Sequence, residues 1–326
     1  MSFRTFVSHR DVDLAALLLL LLVAIASAFP QFIALGNLLD VFDDTAILIL
    51  LALGQMAVLL TRGVDLSVAS NLALCGMAVA LLNHHFPQLG VVPVLALALI
   101  LGTLLGALNG VLIWRLQVPP IVATLGTLSI YRGLVFVLSG GRWINSNQMS
   151  PEFLDFVRAH MFGITALSWA AIFGIAGVFV FLRLTTTGRN LFAAGDHPEA
   201  AIYAGIDIGR TQCIAFTLSG ALAGLCGYFW VSRFAVAYTD VALGFELQVI
   251  AACVIGGISI AGGIGTVTGV VLGCLFLGII KNALPLIGLS PFWQMAVSGL
   301  VITAAVVINA RARRPQGRTI LQESAA

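Results

Sequence analysis

The chain has 326 residues, of which 60% are hydrophobic and 9% are charged, and its formal net charge is +2. A soluble globular protein carries about 25% charged residues, so water cannot be the main solvent of this chain. The small net charge gives no argument for a nucleic-acid partner. Long continuous apolar segments indicate α-helical spans and exclude the weak alternating segments of a transmembrane β-barrel.

Ten segments have the length and apolar composition that a membrane-spanning helix needs. We therefore predict an all-α polytopic membrane protein, with one transmembrane domain over residues 1–326. The span at 246–261 is short and rich in glycine. The predicted spans are 12–29, 45–61, 66–82, 91–114, 121–138, 166–183, 212–232, 246–261, 264–281 and 292–310.

The first predicted span has two interpretations. Arg4 and Arg10 precede an apolar segment that ends at Ala26-Ser27-Ala28, which is similar to a cleavable signal peptide. Asp11 and Asp13 stand directly before the apolar segment, however, and further spans follow. We therefore expect this segment to be retained as the first helix.

Basic residues predict the orientation, because arginine and lysine collect in cytoplasmic loops. With ten spans, both termini, the loop 184–211 and the tail 311–326 fall on the cytoplasmic side, and the loop 139–165 falls on the opposite side. An acidic patch also falls on that opposite side, at Asp40, Asp43 and Asp44.

The residue types that nucleotide, metal and covalent chemistry require are missing or scattered. Lys281 is the only lysine and is followed by Asn282, so the chain lacks the G-K-[ST] element of a Walker-type ATP site. The five cysteines lie singly without a C-x-x-C, and no H-E-x-x-H is present, so we expect core cysteines and no metal site. No nucleophile is paired with a base, and we predict that the chain is not an enzyme.

Two stripes of glycine recur five spans apart. They are Gly102, Gly106 and Gly110 in the fourth span, and Gly265, Gly269 and Gly273 in the ninth. An odd offset places such copies in opposite orientations, which is typical of an inverted repeat. The same pattern also suits any helix that packs closely through small residues. Both interpretations stay open.

The loop 184–211 contains a pattern typical of a short helix. Asp196 can serve as N-cap with Glu199 three residues later, and Pro198 occupies an early helical position. Gly205 supplies a C-terminal stop. The predicted helix, 198–204, would expose Ile202 and Tyr203 unless another protein covers them. The alternative is an ordinary loop helix folded on its own bundle.

Two charges interrupt the apolar stretch 46–82, in the sequence TRGVDLS at 61–67. The split into two spans puts them at a break between helices. Arg62 then suits the C-terminal dipole of the first helix, Gly63 provides the turn, and Asp65 can N-cap the next helix with Ser67 nearby. Asp65 is either a structural cap at the membrane surface or part of a transport pathway inside the membrane.

Polar residues in or near the spans are the candidates for a transport pathway. Each is also explained by an interhelical hydrogen bond, which is common in membrane bundles. The candidates are Asp65, Ser67, Asn71, Asn109, Thr124 and Gln248.

Several motifs together resemble one family, the permeases of ABC importers. The E-A-A-x-x-x-G pattern in the loop 184–211 resembles the segment through which such permeases contact their ATPase. The branch that transports ribose, xylose, rhamnose and autoinducer-2 is similar over essentially the whole chain, and the permeases for rhamnose are the most similar. The motifs are G-V-D-L-S at 63–67, P-P-I-V-A-T-L-G-T at 119–127, Y-R-G at 131–133, S-G-A-L-A-G at 219–224 and V-I-G-G-I-S-I-A-G-G-I-G-T at 254–266. Ala69 stands where the family usually has glycine.

The resemblance implies a permease subunit of the bacterial inner membrane that imports a monosaccharide, first of all L-rhamnose. The alternatives are autoinducer-2 or another pentose or hexose. The implied partners are a second permease chain, an ATPase subunit that binds ATP and Mg²⁺, a periplasmic sugar-binding protein and the lipid bilayer. A competing class is an ion-coupled secondary transporter, against which the scarcity of intramembrane carboxylates argues. The residues implied in ATPase coupling are Gly195, Pro198, Glu199, Ala200, Ala201 and Gly205.

Overall fold

The computed structural model describes residues 9–288 together with residues 293, 296, 299, 300 and 303. Twelve α-helices account for most of this part of the chain. They are α1 (His9–Ala28), α2 (Leu35–Leu60), α3 (Val68–His85), α4 (Val91–Arg115), α5 (Pro120–Ser139), α6 (Pro151–Arg158), α7 (Ala166–Leu184), α8 (Thr186–Asp196), α9 (Pro198–Tyr203), α10 (Ile208–Phe234), α11 (Phe245–Ile255) and α12 (Val267–Ala283).

Seven helices of the described residues are long and apolar enough to cross a membrane. These are α1, α2, α4, α5, α7, α10 and α12, the last together with the 3₁₀ turn that follows it. The prediction of an all-α polytopic membrane protein is confirmed. The predicted third and eighth spans correspond to α3 and α11, and the predicted tenth span, 292–310, falls mainly on residues outside those the structure describes.

Helix α2 forms the centre of the bundle. Every residue from Ala46 to Leu60 is buried, because α7, α10, α11 and α12 all pack against this helix. A helix that is apolar on all sides is expected in the interior of a bundle. Helices α1 and α4 instead expose leucines such as Leu20 and Leu104, as expected where lipid is the solvent.

Helix α2 begins ten residues before the predicted start of its span. The acidic residues Asp43 and Asp44, expected in a loop, lie inside α2 and form ion pairs with Arg233 of α10. Ser168 of α7 also donates a hydrogen bond to Asp43 (Oγ–Oδ1 3.0 Å). The prediction failed because it treated each charge as a helix end, whereas a neighbouring cation makes these charges compatible with the helix.

The predicted span 246–261 is also corrected. Helix α11 has 11 residues, about 16 Å at 1.5 Å per residue, roughly half of the hydrocarbon thickness. Left-handed glycines after its end, at Gly257, Gly262 and Gly263, are incompatible with a continuing helix. Residues 256–266 therefore cover the remaining distance as a loop.

Both glycine stripes lie where helices approach closely. A Cβ on Gly102 of α4 would stand 2.4 Å from the carbonyl oxygen of Gly220 in α10, and one on Gly273 of α12 would stand 2.2 Å from the carbonyl oxygen of Ala252 in α11. Gly265 lies before the N-cap of α12, so the second stripe is only partly helical. These contacts account for the glycines, and the inverted repeat stays a prediction.

The two ends of the bundle carry different structures. At one end, β1 (Ile144–Asn145) pairs with β4 (Val236–Ala237), β2 (His160–Met161) pairs with β3 (Ile164–Thr165), both antiparallel, and α6 lies against α10. Tyr228 and Ser232 of α10 both donate hydrogen bonds to the carbonyl oxygen of Phe153 in α6. Helices α8 and α9 lie at the opposite end.

Candidate functional site

Residues Thr61–Ser67, here called the break, connect α2 to α3. Arg62 takes a left-handed conformation (φ 64°), which is uncommon for a residue other than glycine. The sequence analysis assigned this turn to Gly63. Gly63 is instead required by close packing, since a Cβ there would stand 3.2 Å from the ring of Phe216.

The side chain of Arg62 joins the break to the end of α8. Its Nε donates to the carbonyl oxygen of Gly195 (2.7 Å), and its Nη2 donates to that of Asp196 (3.1 Å). These carbonyls belong to the last residues of α8, where a cation is favourable. The prediction that the Arg62 side chain serves the C-terminus of α2 is therefore wrong. It binds the C-terminus of α8 instead.

The backbone at this junction is packed too tightly for side chains. A Cβ on Gly195 would stand 1.8 Å from the carbonyl oxygen of Leu60, and one on Gly262 would stand 2.6 Å from Cγ of Arg62. The N–H of Gly263 donates to the carbonyl oxygen of Leu60 (3.0 Å). The break, the end of α8 and the loop before α12 thus form one close contact.

The other half of the break turns back into the bundle. Oδ1 of Asp65 accepts hydrogen bonds from the N–H (3.0 Å) and the hydroxyl (2.7 Å) of Ser67, and Oδ2 accepts one from the hydroxyl of Ser219 (3.0 Å). The N-cap of α3 is Ser67, not Asp65 as predicted. Asp65 does not cap the helix itself but holds the N-cap residue in place through these two hydrogen bonds from Ser67.

Two further buried amides complete this group. Nδ2 of Asn109 donates to the hydroxyl of Ser67 (2.8 Å). The Gln55 amide, oriented to satisfy both partners, bridges the backbone N–H and carbonyl oxygen of Asp65, each at 3.1 Å. We call these five residues the buried polar network: Gln55, Asp65, Ser67, Asn109 and Ser219.

The network lies well inside the bundle. Ser219 is the twelfth residue of α10, about 17 Å along the helix axis from Ile208. Asp65 is 2% exposed and Ser67 is 1% exposed. Asp65 is thus buried inside the bundle among protein donors, and both interpretations of the break stay open.

The remaining pathway candidates lie at different places. Thr124 of α5 donates to the carbonyl oxygen of Val64 in the break (3.1 Å), and Asn71 of α3 donates to that of Gly102 in α4 (3.3 Å). Both are buried and join helices. Gln248 is half-buried on α11 and makes no hydrogen bond to the network among the described residues.

The short helix of the predicted coupling loop is α9. It ends one residue before the predicted 198–204, and Gly205 follows it in the left-handed conformation (φ 80°) that ends many helices. Its N-cap is His197, without a side-chain hydrogen bond, because Asp196 belongs to α8. Helix α8, whose N-terminus is capped by Thr185, was not predicted from the sequence.

One face of α9 is open. Ala201 is buried against the bundle, whereas Ile202 is 60% exposed and Tyr203 is 92% exposed. Glu199 and Ala200 are also exposed, and Gly195 is buried at the junction with the break. An apolar and an aromatic side chain thus stand on the surface of the segment that Arg62 ties to the break.

Gln55 and Ser219 are members of the network that sequence reasoning missed. Gln55 is the only strongly polar residue in the apolar run 46–60, and Ser219 opens the S-G-A-L-A-G motif. A buried polar residue in a membrane helix needs a hydrogen-bond partner. A polar residue within an apolar run could therefore have identified Gln55 and Ser219 as members of a buried network. The contacts of Arg62 with α8 join residues more than 130 positions apart, and no local pattern predicts them.

The bundle of apolar helices, with its buried polar break and surface helix pair, is that of a multi-pass membrane protein. The chain belongs to the family of permease components described as branched-chain amino acid transport systems, which matches residues 37–306. The resemblance to importer permeases is confirmed at this level. Members of this class are transport components and not enzymes.

Curated relatives are similar over nearly the whole chain. An autoinducer 2 import system permease protein LsrC from Enterobacter sp. (strain 638) is 37% identical over 95% of this chain and 90% of its own length. The LsrC proteins of Klebsiella pneumoniae and Escherichia coli (strain K12 / DH10B) are 36% and 35% identical, over 97% and 94% of this chain and 90% and 89% of theirs. No solved structure matches the chain.

Proposed function

We propose that this chain is the permease subunit of an ATP-driven importer whose cargo is autoinducer-2 or a chemically similar small polyhydroxylated molecule. The observation that carries the proposal is the similarity to autoinducer-2 import permeases over about nine tenths of both chains. These relatives favour autoinducer-2 over L-rhamnose, which the sequence analysis had placed first. The cargo would be delivered by a binding protein on the periplasmic side.

The α8–α9 segment is the proposed contact with the ATPase subunit. Its exposed Ile202 and Tyr203 suit a partner that covers apolar surface. The E-A-A-x-x-x-G pattern, Glu199 to Gly205, falls on the same segment. Since the chain has no Walker-type motif, ATP and Mg²⁺ would bind on that partner, and a second permease chain would complete the importer.

A displacement of α8–α9 would be transmitted to the buried polar network through the break. Arg62 binds the last carbonyls of α8, and five residues further along the chain Ser67 belongs to the buried polar network. ATP binding by the partner would therefore shift the populations of two arrangements of the break, each open to one side of the membrane. Contact with a cytoplasmic ATPase requires α8–α9 to face the cytoplasm. Both termini would lie on the same side, and the chain would span the bacterial inner membrane.

The cargo is tested by calorimetric titration of the cognate periplasmic protein with autoinducer-2 and, separately, with L-rhamnose. We expect saturable binding of autoinducer-2 and no heat of binding with L-rhamnose. Uptake into cells that lack the partner ATPase then tests the energy source. Uptake that persists in such cells and collapses with a proton uncoupler would support the ion-coupled class instead.

The ATPase contact is tested by replacing Tyr203 with Asp. We expect the ATPase to be lost from the purified complex, because a charge in an apolar contact is costly to bury. Phe162→Asp is the matched control, since Phe162 is 93% exposed at the opposite end of the bundle. Retention of the ATPase by Tyr203→Asp would contradict the assignment of α9.

A further inference from the structure

The Y-R-G motif of α5 contacts the segment before α11, away from the break. Arg132, the centre of Y-R-G in α5, donates from Nη1 to the carbonyl oxygen of Val241 (2.6 Å), just before α11. Val241 follows Asp240 and precedes Glu246 in the chain, so the guanidinium lies beside the segment that carries both carboxylates. Glu246 is the centre of G-F-E-L-Q, in the first turn of α11.

The position of Arg132 is unusual for a membrane helix. It is the thirteenth of 20 residues in α5, and a charge near the middle of a span costs about 2.5–3.5 kcal/mol. Charged residues inside spans face the bundle interior or a water-filled path and often mark a substrate route. Arg132 makes no direct ion pair with Glu246 or Asp240 among the described residues.

Glu246 has unused capacity for hydrogen bonds. Its Oε2 is buried and has no hydrogen-bond partner among the described residues. A buried carboxylate oxygen without a donor is costly, and such groups call for a partner that the protein itself does not supply. A hydroxyl group of a bound molecule would serve, since it can donate to the carboxylate and accept from the guanidinium.

Two aromatic rings pack on each other near Val241, whose N–H donates to the carbonyl oxygen of Tyr238 (3.3 Å). The ring centroids of Trp143 and Tyr238 are 5.2 Å apart, and Trp143 is 59% exposed. The β1–β4 pair holds them together, because Ile144 pairs with Ala237.

We propose that five residues form a binding site for a small, neutral, polyhydroxylated molecule entering from the α6 end of the bundle, and we call them the outer cluster: Arg132, Trp143, Tyr238, Asp240 and Glu246. The charged groups exchange hydrogen bonds with hydroxyls, and the exposed indole face packs on C–H groups. With two carboxylates and one guanidinium, the cluster disfavours an anion. This site rests on the proposed function and identifies where the permease receives its cargo.

The test uses the complete importer in proteoliposomes, with autoinducer-2 and L-rhamnose as separate probes. We expect Glu246→Gln and Trp143→Ala to lower uptake of the transported probe about tenfold, the effect of losing about 1.4 kcal/mol of binding. ATP hydrolysis by the complex stays near the wild-type rate, because the proposed ATPase contact at α8–α9 is unchanged. Trp143→Phe keeps an aromatic face and restores uptake, which separates ring contact from a folding defect.

Arg142→Gln is the matched control, since Arg142 is exposed on the same surface next to Trp143 and outside the outer cluster. Wild-type uptake by both Glu246→Gln and Trp143→Ala would overturn the site while leaving the proposed function intact. Cross-linking of Trp143→Cys to its copy in a second permease chain would assign this surface to the subunit interface instead. Absence of ATP-dependent uptake by the wild type for both probes would overturn the proposed function and this site with it.

Discussion

Glycines at the α4–α10 contact show how single residues determine the spacing of helices. A Cβ on Gly106 would stand 2.4 Å from the carbonyl oxygen of Phe216 and 2.7 Å from Cα of Gly220. Neither contact can be relieved by turning a side chain, since both partners are backbone atoms. Without a hydrophobic driving force between helices in lipid, this close approach supplies much of the packing energy.

We therefore predict that Gly106→Ala lowers the free energy of unfolding by about 1–3 kcal/mol, the usual cost of overpacking. Thermal unfolding of the detergent-solubilised protein measures the change. Gly177→Ala in α7 is the control, because a Cβ there meets no atom within 4 Å. Equal free energies of unfolding for the two variants would show that α4 and α10 can move apart without loss of stability.

The role of the Asp65 charge is a second question for a single residue. An amide at this position can still accept from the N–H and hydroxyl of Ser67 and can donate to Ser219, so we expect Asp65→Asn to fold like the wild type. Asp65→Leu leaves these buried donors without an acceptor, at about 1–3 kcal/mol each.

Transport by Asp65→Asn separates the two interpretations of Asp65. Uptake near the wild-type rate is expected for a structural acceptor. A folded Asp65→Asn protein without uptake would mean that the negative charge itself takes part in transport.

At the scale of elements, the break connects the surface helices to the interior. Arg62 is the only side chain of the break that hydrogen-bonds to α8 within the described part of the chain. The glycines around it leave no room for another side chain to replace this contact. The break and the α8 end are therefore expected to move together.

We predict that Arg62→Gln lowers uptake at least about tenfold, since two hydrogen bonds to a charged group, each worth about 1.5–3 kcal/mol, are lost or weakened. The ATPase should still co-purify, because α9 is unchanged. Arg210→Gln, at an exposed arginine of α10 near the same end, is the control and should transport normally. Uptake by Arg62→Gln equal to that control would remove Arg62 from the coupling route.

At the scale of the whole molecule, the two ends of the bundle are predicted to face opposite sides of the membrane. Single cysteines at Phe162 and Tyr203 test this, since both positions are more than 90% exposed. Four of the five native cysteines are buried, and replacing Cys213 removes the remaining partly exposed thiol.

A membrane-impermeant thiol reagent added to intact spheroplasts should label Phe162→Cys and spare Tyr203→Cys. Inverted vesicles should give the reverse pattern. Labelling of both positions from one side would refute a membrane crossing by α7 between them and the orientation derived from the basic loops.

Much of the architecture was predictable because its causes are local. Continuous apolar runs predicted the helices, and Pro198 with Gly205 predicted a short helix within one residue of its observed end. Predictions failed where a distant partner compensates a local signal. The ion pair with Arg233 compensates the charge of Asp43 inside α2. The Arg62 side chain, predicted to serve the C-terminus of α2, binds the C-terminus of α8.

The sequence by itself determined a helical membrane protein of the permease class, because composition sets the solvent and the motifs persist along the whole chain. Only the tertiary structure decided that Asp65 accepts a hydrogen bond from Ser219, that Arg62 binds the end of α8, and that Arg132 donates to the carbonyl oxygen of Val241. Each of these contacts joins residues that are 109 or more positions apart in the chain. The physical reason is that a buried charge requires a partner, but which residue supplies it depends on how the helices pack.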